Sequence, residues 1–236
     1  MKKPVAFIGT KFGHDTILQA CEELDIEVAG WFDKYYAGNT PSFAGYPILG
    51  SEQDITEQDK EKYDFFLASA YSGHHLLDNP EHNGMNLRKE RIKLIKEKNL
   101  PLINIISPSA FIHRSTKIGK GVFLGHNTSV RGSSSIGDFV YMCQQVGVGE
   151  HTELQENVIL MSHAVIAGNI IIEENAFVGL NATIANAYYG KKMIVGRDAK
   201  IAAGAVVYKD VEPDKFVSVE GRRMRKLDSE SEQHSD

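Results

Sequence analysis

The chain has 236 residues, which is long enough for one large domain or two modest ones. Hydrophobic residues make up 42% of it and charged residues 24%, ordinary values for a soluble globular protein. The net charge of −5 provides no basic face for nucleic acid, and no apolar run approaches the roughly 20 residues that a membrane-spanning helix needs. The two cysteines, Cys21 and Cys143, lie far apart, so we expect no metal site and a reduced, cytoplasmic setting.

The first hundred residues alternate short apolar runs with stretches of helical spacing. The apolar runs are Val5 to Ile8, Ile26 to Phe32 and Phe65 to Ala70, and the helical stretches are about His14 to Glu23 and Leu87 to Glu97. Strands that alternate with helices predict a small parallel sheet of the nucleotide-binding type.

Two strand ends in this part are candidates for ligand binding. The segment from Gly9 to His14 follows the first apolar run, and Asp33 follows the second. Ligands of parallel α/β sheets bind at the carboxyl ends of the strands. The glycines do not complete the G-x-G-x-x-G pattern of dinucleotide sites, so a redox cofactor is not expected. A nucleotide or nucleotide-sugar site and a plain turn with a surface aspartate remain as interpretations.

The second half of the chain carries a six-residue repeat. Every sixth residue from Ile106 to Ile184 is aliphatic, fourteen positions in succession, and the position four residues later is small or β-branched. The position directly after the aliphatic residue is glycine five times, where we expect a sharp corner. A period of six fits neither a helix nor a simple strand, and it predicts a parallel β-helix.

The repeat breaks its frame once. Ile184 and Val195 are eleven residues apart, and the pattern then resumes at Ile201 and Val207. We therefore predict a protruding loop around residues Ala187 to Lys192. This loop is either a tolerated surface insertion or one wall of an active site.

A small α/β part followed by a hexapeptide β-helix resembles the bacterial sugar acyltransferases, namely the sialic acid O-acetyltransferases and the nucleotide-linked amino-sugar N-acetyltransferases. The resemblance covers residues from about 4 to 226. The motifs that carry it are Gly9 with Gly13-His14, Gly30 to Lys34, Gly45 to Gly50, Ser162 to Asn169 and Phe177 to Ile184.

This resemblance implies a left-handed coil, a homotrimer, acetyl-CoA bound between adjacent subunits and a sugar held by the N-terminal domain. It divides the chain into a Rossmann-like sugar-nucleotide-binding domain at 1–105 and a left-handed β-helix acyltransferase domain at 106–226. The polar composition of residues 227–236 predicts a disordered tail. The residues that it assigns to the nucleotide end of the substrate are Gly13, His14, Asp33 and Lys34. Those that we assign to the acyl donor are His163, Gly168, Gly179, Leu180, Ala203 and Gly204. His163 has a second interpretation, as a member of a polar ladder with Gln145 and Asn181.

The catalytic base departs from the pattern of the family. Its members carry a histidine two residues after the aliphatic position of one hexad, where this chain has Glu150, and His151 follows one residue later in an unbroken frame. Three hexads make one turn, so Glu150 is expected to stack between Gly132 and Gly168. Acetyl transfer needs a group that removes a proton from the acceptor. Three interpretations stay open: His151 is the base, Glu150 is the base, or neither is.

The sequence thus predicts an acetyl-CoA-dependent transferase that acetylates a sugar, preferentially the amine of a nucleotide-linked amino sugar. No nucleic acid, membrane span or metal is expected to take part. The alternatives are a catalytically inactive β-helix trimer that acts as a binding or scaffold protein, and an O-acyltransferase that uses another acyl-CoA.

Overall fold

The computed structural model describes residues 2–10, 13–68, 84–186 and 190–219. The predicted tail at 227–236 and the centre of the predicted insert at 187–189 lie outside the described residues. Within the described ranges, no helix is long and apolar enough to cross a membrane.

The first part of the chain is a five-stranded sheet with helices. Its strands are β1 (Val5–Ile8), β2 (Val28–Phe32), β3 (Ser42–Phe43), β4 (Tyr46–Gly50) and β5 (Asp64–Leu67). Its helices are α1 (His14–Glu23), α2 (Glu57–Lys62) and α3 (Gly84–Glu97), with a 3-10 turn at Glu52–Asp54. The strand order is β3-β4-β2-β1-β5, and all pairs are parallel except the β3–β4 hairpin. The predicted alternation is confirmed, whereas the hairpin and α2 were not predicted.

Strand β1 is buried on both faces, which explains its continuous apolar sequence. Phe7 packs in one apolar cluster with Ile17 of α1, and Ile8 packs in another with Ile92 of α3. The sheet therefore has a helix on each side, as the alternation of elements requires.

The second part is a coil of short strands that form three stacked parallel sheets. The covered sheet contains β6 (Ile105–Ile106), β9 (Phe123–Leu124), β12 (Tyr141–Met142), β15 (Ile159–Leu160), β18 (Phe177–Val178), β21 (Lys200–Ile201) and β23 (Phe216–Val217). The open sheet contains β7 (Phe111–Ile112), β10 (Ser129–Val130), β13 (Gly147–Val148), β16 (Val165–Ile166), β19 (Thr183–Ile184) and β22 (Val206–Val207). The third sheet contains β8 (Lys117–Ile118), β11 (Ser135–Ile136), β14 (Glu153–Leu154), β17 (Ile170–Ile172) and β20 (Met193–Val195).

Strand pairing gives the length of one turn. Ser129 pairs with Gly147, 18 residues further on, so three hexads make one turn as predicted. Thr183 pairs with Val206, 23 residues further on, because the insert adds five residues to that turn. The stacked parallel sheets are consistent with the expected left-handed β-helix.

Both tracks of the repeat point into the coil, as predicted. Leu160 and Val178 on the aliphatic track are fully buried, and so are Val158 and Ala176 on the small or β-branched track. Since each coil is narrow, a wider side chain on the second track has no room inside.

The corners use left-handed backbone at a position that the sequence analysis did not assign. From Ile118 to Ile201, the third residue after the aliphatic residue has a positive φ wherever it is described, for example 55° at Asn127 and 58° at Ser133. The glycines directly after the aliphatic residue lie outside this region. The expectation that a sharp corner requires them is therefore wrong. Glycine is required at these positions because the next turn of the coil passes too close for a side chain. A Cβ on Gly149, for example, would stand 2.4 Å from the backbone nitrogen of Gly168.

We name the corners by the sheets that they join. The first corner runs from the covered sheet to the open sheet, as at residues 161–164. The second runs from the open sheet to the third sheet, as at 149–152, and the third corner returns to the covered sheet, as at 155–158.

The α/β part packs on the covered sheet and on the third corner. The outward side chains of the covered sheet from Ile105 to Phe177, Phe123 and Tyr141 among them, form one buried cluster with Phe66 of β5. Arg88 of α3 enters the third corner, where its Nε donates to Asn157 Oδ1 and its Nη2 donates to the carbonyl of Phe139, both at 2.7 Å. One face of the coil is thereby hidden from solvent.

Candidate active site

Glu150 and His151 lie together on the second corner. The side chain of Glu150 is 48% exposed, and its Oε2 lies 3.8 Å from Nη1 of Arg131. His151 is exposed and occupies the left-handed position of the corner, with φ at 55°. A histidine and a glutamate thus occupy neighbouring, accessible positions on this corner of the coil.

The predicted stack around Glu150 is present. The backbone nitrogen of Asn169 donates to the carbonyl of Glu150 at 2.9 Å, and that of His151 donates to the carbonyl of Gly132 at 3.1 Å. A Cβ on Gly168 would stand 2.8 Å from Glu150 Oε1. Gly168 thus leaves room for the carboxylate and belongs to the second corner. The other residues assigned to the acyl donor lie elsewhere.

The insert leaves the coil from the same corner. Asn186 lies at the start of the insert, and its Nδ2 donates to the carbonyl of Asn169 at 2.8 Å, one turn above His151. The same Nδ2 donates to the carbonyl of Lys191 at 3.2 Å, which closes the base of the insert. The two ends of the insert therefore lie at the second corner, and both interpretations of the insert stay predictions.

The first corner brings together the remaining donor candidates. His163, Gly179, Leu180, Ala203 and Gly204 lie there on consecutive turns, and the backbone nitrogen of Gly204 donates to the carbonyl of Leu180 at 2.7 Å. Leu180 is 45% exposed, and nothing lies within 4 Å of a Cβ built on Gly204. The first corner therefore offers small residues and exposed apolar surface, which suit an extended apolar chain.

Cys143 also lies on the first corner, where its Sγ is 3.9 Å from the sulfur of Met161. Desolvation raises the pKa of the Cys143 thiol to about 11, although hydrogen bonds with Ser162 act in the opposite direction. The thiol therefore remains protonated at neutral pH, and a protonated thiol is a poor nucleophile. Cys143 is unsuited to carry an acyl group.

Gly13 and His14 begin helix α1 after β1. Gly13 has a φ of 81°, a conformation that favours glycine. The His14 ring packs edge-on against Phe43 of the β3–β4 hairpin, with ring centroids 4.8 Å apart. Its Nδ1 is buried and finds no hydrogen-bond partner among the described residues. A ligand at this turn would meet a histidine held by an aromatic side chain.

Asp33 and Lys34 follow β2 and have different roles in the structure. Asp33 is fully buried, and its carboxylate accepts hydrogen bonds from Thr10, Tyr35 and Arg91. The prediction that Asp33 contacts the nucleotide would require one of these bonds to open. Lys34 is partly exposed, and its Nζ lies 3.5 Å from Glu90.

Thr10 belongs to the predicted segment from Gly9 to His14, whereas Glu52 and Arg91 of this network were not predicted. Arg91 connects Asp33 with Glu52, and the Glu52 carboxylate accepts a hydrogen bond from the backbone nitrogen of Lys34. The signal in the sequence was the position of Arg91 beside Ile92 and Ile95, since an arginine on the buried stripe of a helix needs a partner. In the described part of the chain, no group of three or more His, Cys, Asp or Glu side chains is arranged to hold a metal ion.

Comparison with known proteins agrees with this architecture. Residues 169–209 match the family described as the hexapeptide repeat of succinyl-transferase. No curated protein matches the chain in sequence. The coil of this chain thus contains hexapeptide repeats, and an α/β part packs on it.

Three solved structures share this fold over most of the chain. The first is a mutant of perosamine N-acetyltransferase from Caulobacter crescentus in complex with CoA and GDP-perosamine. It is 22% identical to this chain, the alignment covers 90% of this chain and 92% of that chain, and the TM-score is 0.75. The second is the acetyltransferase domain of PglB from Neisseria gonorrhoeae FA1090 in complex with acetyl coenzyme A. It is 20% identical, the alignment covers 93% of this chain and 97% of that chain, and the TM-score is 0.75. The third is WeeI from Acinetobacter baumannii AYE, which is 21% identical. The alignment covers 93% of this chain and 98% of that chain, and the TM-score is 0.76.

At these identities the likeness shows a common fold. The resemblance to sugar acetyltransferases that the sequence predicted is confirmed at that level, over the α/β part as well as the coil.

Proposed function

We propose that the protein transfers an acetyl group from acetyl-CoA to the amine of a nucleotide-linked amino sugar. The observation that carries this proposal is the placement of Glu150 and His151 on the corner at one side of the open sheet, while His163, Gly179 and Leu180 lie on the corner at its other side. The solved structures of the same fold that contain CoA or acetyl coenzyme A include one with GDP-perosamine, and they support this assignment.

The open sheet is the surface that we assign to trimer formation. Its outward side chains are apolar or small, and Phe111, Val165 and Val206 are 62%, 49% and 50% exposed. The third sheet, in contrast, carries Lys117 and Glu153 outward. Because an exposed apolar strip is stabilised by contact with another surface, we infer that three copies pack through their open sheets.

This assembly would create the active site between protomers. In a cyclic trimer the contacts are head to tail, so one edge of each open sheet faces the opposite edge of its neighbour's sheet. The second corner of one protomer, with His151, then approaches the first corner of the next, with Leu180. Acetyl-CoA bound along the first corner would present its thioester to the imidazole of the neighbouring protomer.

His151 is the group that we assign to proton removal. As the amine attacks the thioester carbonyl, His151 accepts the amine proton, the C–S bond breaks, and the proton passes to the departing CoA thiolate. Imidazole suits this exchange because it titrates near neutral pH. We assign the Glu150 carboxylate, which pairs with Arg131, to holding the acceptor or orienting the imidazole.

The α/β part would hold the nucleotide. Gly13, His14 and Lys34 lie at the carboxyl ends of β1 and β2, where parallel sheets bind ligands. Asp33 would act indirectly, since its carboxylate accepts hydrogen bonds from the backbone and hydroxyl of Thr10 at the end of β1. Three further points stay predictions: the Rossmann-like domain at 1–105, the left-handed coil at 106–226 and a cytoplasmic setting.

Acetyl transfer is the direct test. The protein is incubated with acetyl-CoA and a panel of UDP-, GDP- and dTDP-linked 4-amino sugars, and products are analysed by mass spectrometry for one added acetyl group. Matched sugars with a hydroxyl in place of the amine separate N-transfer from O-transfer, and longer acyl-CoAs test the donor. A product from the amino sugars alone supports the proposal.

A non-catalytic scaffold is the second candidate. It is favoured by the position of His151, since that left-handed corner position is filled mainly by asparagine in neighbouring turns and needs no catalytic role. No product, together with no rise in melting temperature on addition of acetyl-CoA, would overturn the enzyme and leave the scaffold.

A further inference from the structure

The two corners that flank the open sheet carry opposite charges on the early turns of the coil. At the second corner, Arg114 and Arg131 are exposed on consecutive turns, and the side chain of Arg131 is 74% exposed. At the first corner, His126 Nε2 lies 2.9 Å from both carboxyl oxygens of Glu23, the last residue of helix α1. His126 and Arg131 flank strand β10 within one turn, so the acidic and the basic group lie on opposite sides of the open sheet at one level.

The end of helix α1 is more acidic than a helix C-terminus favours. Its last turn contains Glu22 and Glu23 and no basic residue, and Asp25 lies two residues beyond its end. Carboxylates at this end of a helix are destabilised by the helix dipole. Among the described residues, the carboxylate of Glu23 contacts the imidazole of His126 but no lysine or arginine. An arginine supplied by a second copy of the chain would therefore stabilise this end of the helix.

Arg131 is suited to supply that cation. Among the described residues its guanidinium has one ion-pair partner, Glu150, whose Oε2 lies 3.8 Å from Nη1 and whose side chain is 48% exposed. A pair of that length between exposed side chains contributes little to stability. The guanidinium can therefore reach a carboxylate on another molecule at small cost.

We propose that Arg131 of one protomer forms an ion pair with Glu23 of the partner subunit at each contact of the trimer. In head-to-tail packing, the second corner of one open sheet meets the first corner of the next. Copies with parallel coils then bring the basic corner against the acidic one, and such complementarity fixes the register of an interface. Copies with antiparallel coils would instead bring like corners, and hence like charges, together. This inference rests on the proposed function, because the trimer interface is assigned there.

The ion pair would connect the α/β part of one protomer with the proposed active corner of its neighbour. Glu23 ends helix α1, and His14, which we assign to the nucleotide, begins the same helix. Arg131 lies beside Glu150 on the second corner. The pair would thus fix the distance between a substrate bound by one protomer and His151 of the next, so that each active site is complete only in the assembly.

Charge reversal in the full chain tests the proposal. Sedimentation equilibrium measures trimer dissociation in a Val165→Ala background, where a smaller apolar contact brings dissociation into the measurable range. Arg131→Glu should raise the dissociation constant at least about 10-fold, because an exposed pair is worth up to about 5-fold and a trimer contains three. Glu23→Arg should do the same, and Glu23→Gln, which retains an acceptor for His126, should have a smaller effect. Arg131→Glu combined with Glu23→Arg restores the pair in reverse and should return the constant to within about 3-fold of the background.

The control and the contrary outcomes separate this inference from the proposed function. Lys117→Glu makes the same charge change on the third sheet and should leave dissociation unchanged, while melting temperatures report that each variant is folded. Equal dissociation of Arg131→Glu and Lys117→Glu, or a combined variant no tighter than the single ones, overturns the ion pair. Weaker acetyl-CoA binding by Arg131→Glu in an unchanged trimer also overturns it and assigns Arg131 to an anionic ligand. The trimer would then still acetylate nucleotide sugars, whereas a wild-type monomer without acetyl transfer overturns both.

Discussion

Gly168 lies beside the carboxylate of Glu150, one turn along the coil, and a Cβ there would stand 2.8 Å from Oε1 and 3.0 Å from the carboxyl carbon. The absence of a side chain at one turn thus decides where the acidic side chain of the previous turn can lie. Before the insert, each strand of the coil pairs with strands 18 residues away, so the stacking of Gly168 on Glu150 follows directly from the period of the repeat.

Gly168→Ala is expected to lower kcat/KM for acetyl transfer by about 10-fold or more, because the Glu150 carboxylate must leave its position. The melting temperature should change little, since the side chain of Glu150 is half exposed. A double-mutant cycle with Glu150→Gln measures the coupling between the two sites. Additive losses would show that Gly168 acts independently of Glu150.

His151→Asn removes the proposed base while retaining a residue that tolerates the left-handed corner. We expect kcat to fall by roughly 10²–10⁴, the range typical of general-base removal, with unchanged melting temperature and acetyl-CoA affinity. Glu150→Gln should raise KM for the sugar more than it lowers kcat. Full activity of the asparagine variant would exclude His151 as the base, and the same result for both variants would leave catalysis by positioning alone.

Val165→Glu on the open sheet should convert the proposed trimer to monomers and remove activity. A charge buried at an interface without a partner is strongly unfavourable. Ile194→Glu is the matched control, because Ile194 is 38% exposed on the third sheet and should leave the assembly intact. Light scattering coupled to size-exclusion chromatography distinguishes the states. A wild-type monomer, or a Val165→Glu trimer, would contradict the assigned interface.

Arg88→Ala should reduce the free energy of unfolding by about 3 kcal/mol, since it leaves the carbonyl of Phe139 and Oδ1 of Asn157 without their buried donor. Lys96→Ala removes the exposed ion pair with Glu156 and should cost less than about 1 kcal/mol. Urea denaturation compares the two variants. Equal losses would mean that Arg88 does not stabilise the docking of α3 on the coil.

The Cys143 thiol should react slowly in the folded protein. Its pKa is raised from 9.0 to about 11, so at pH 8 the thiolate population is roughly 100-fold below that of the unfolded chain. The folded state holds the thiol proton up to a higher pH than the unfolded chain does, and this difference stabilises the fold. The stabilisation is complete below pH 9 and is lost as the pH rises from 9 to 11. Alkylation rates in a Cys21→Ser background, with and without urea, measure the effect. Equal rates at pH 8 would contradict it.

The sequence by itself determined the coil, its 18-residue turn and the stacking of Glu150 beside Gly168. It did so because a β-helix is nearly one-dimensional: each hexad contacts only the turns next to it, so the period alone places side chains inside or outside. Helices α1 and α3 were also predictable from the sequence, because the spacing of apolar residues along a helix is a local property.

Only the tertiary structure decided which sheet is covered and how the polar network of the α/β part is arranged. Both depend on contacts between residues far apart in the chain, such as Arg91 with Asp33, which are 58 positions apart, and Arg88 with Asn157, which are 69 apart. No local pattern records these pairs. Asp33 consequently read as an exposed ligand-binding carboxylate, while packing placed it in the interior, where four hydrogen bonds satisfy it.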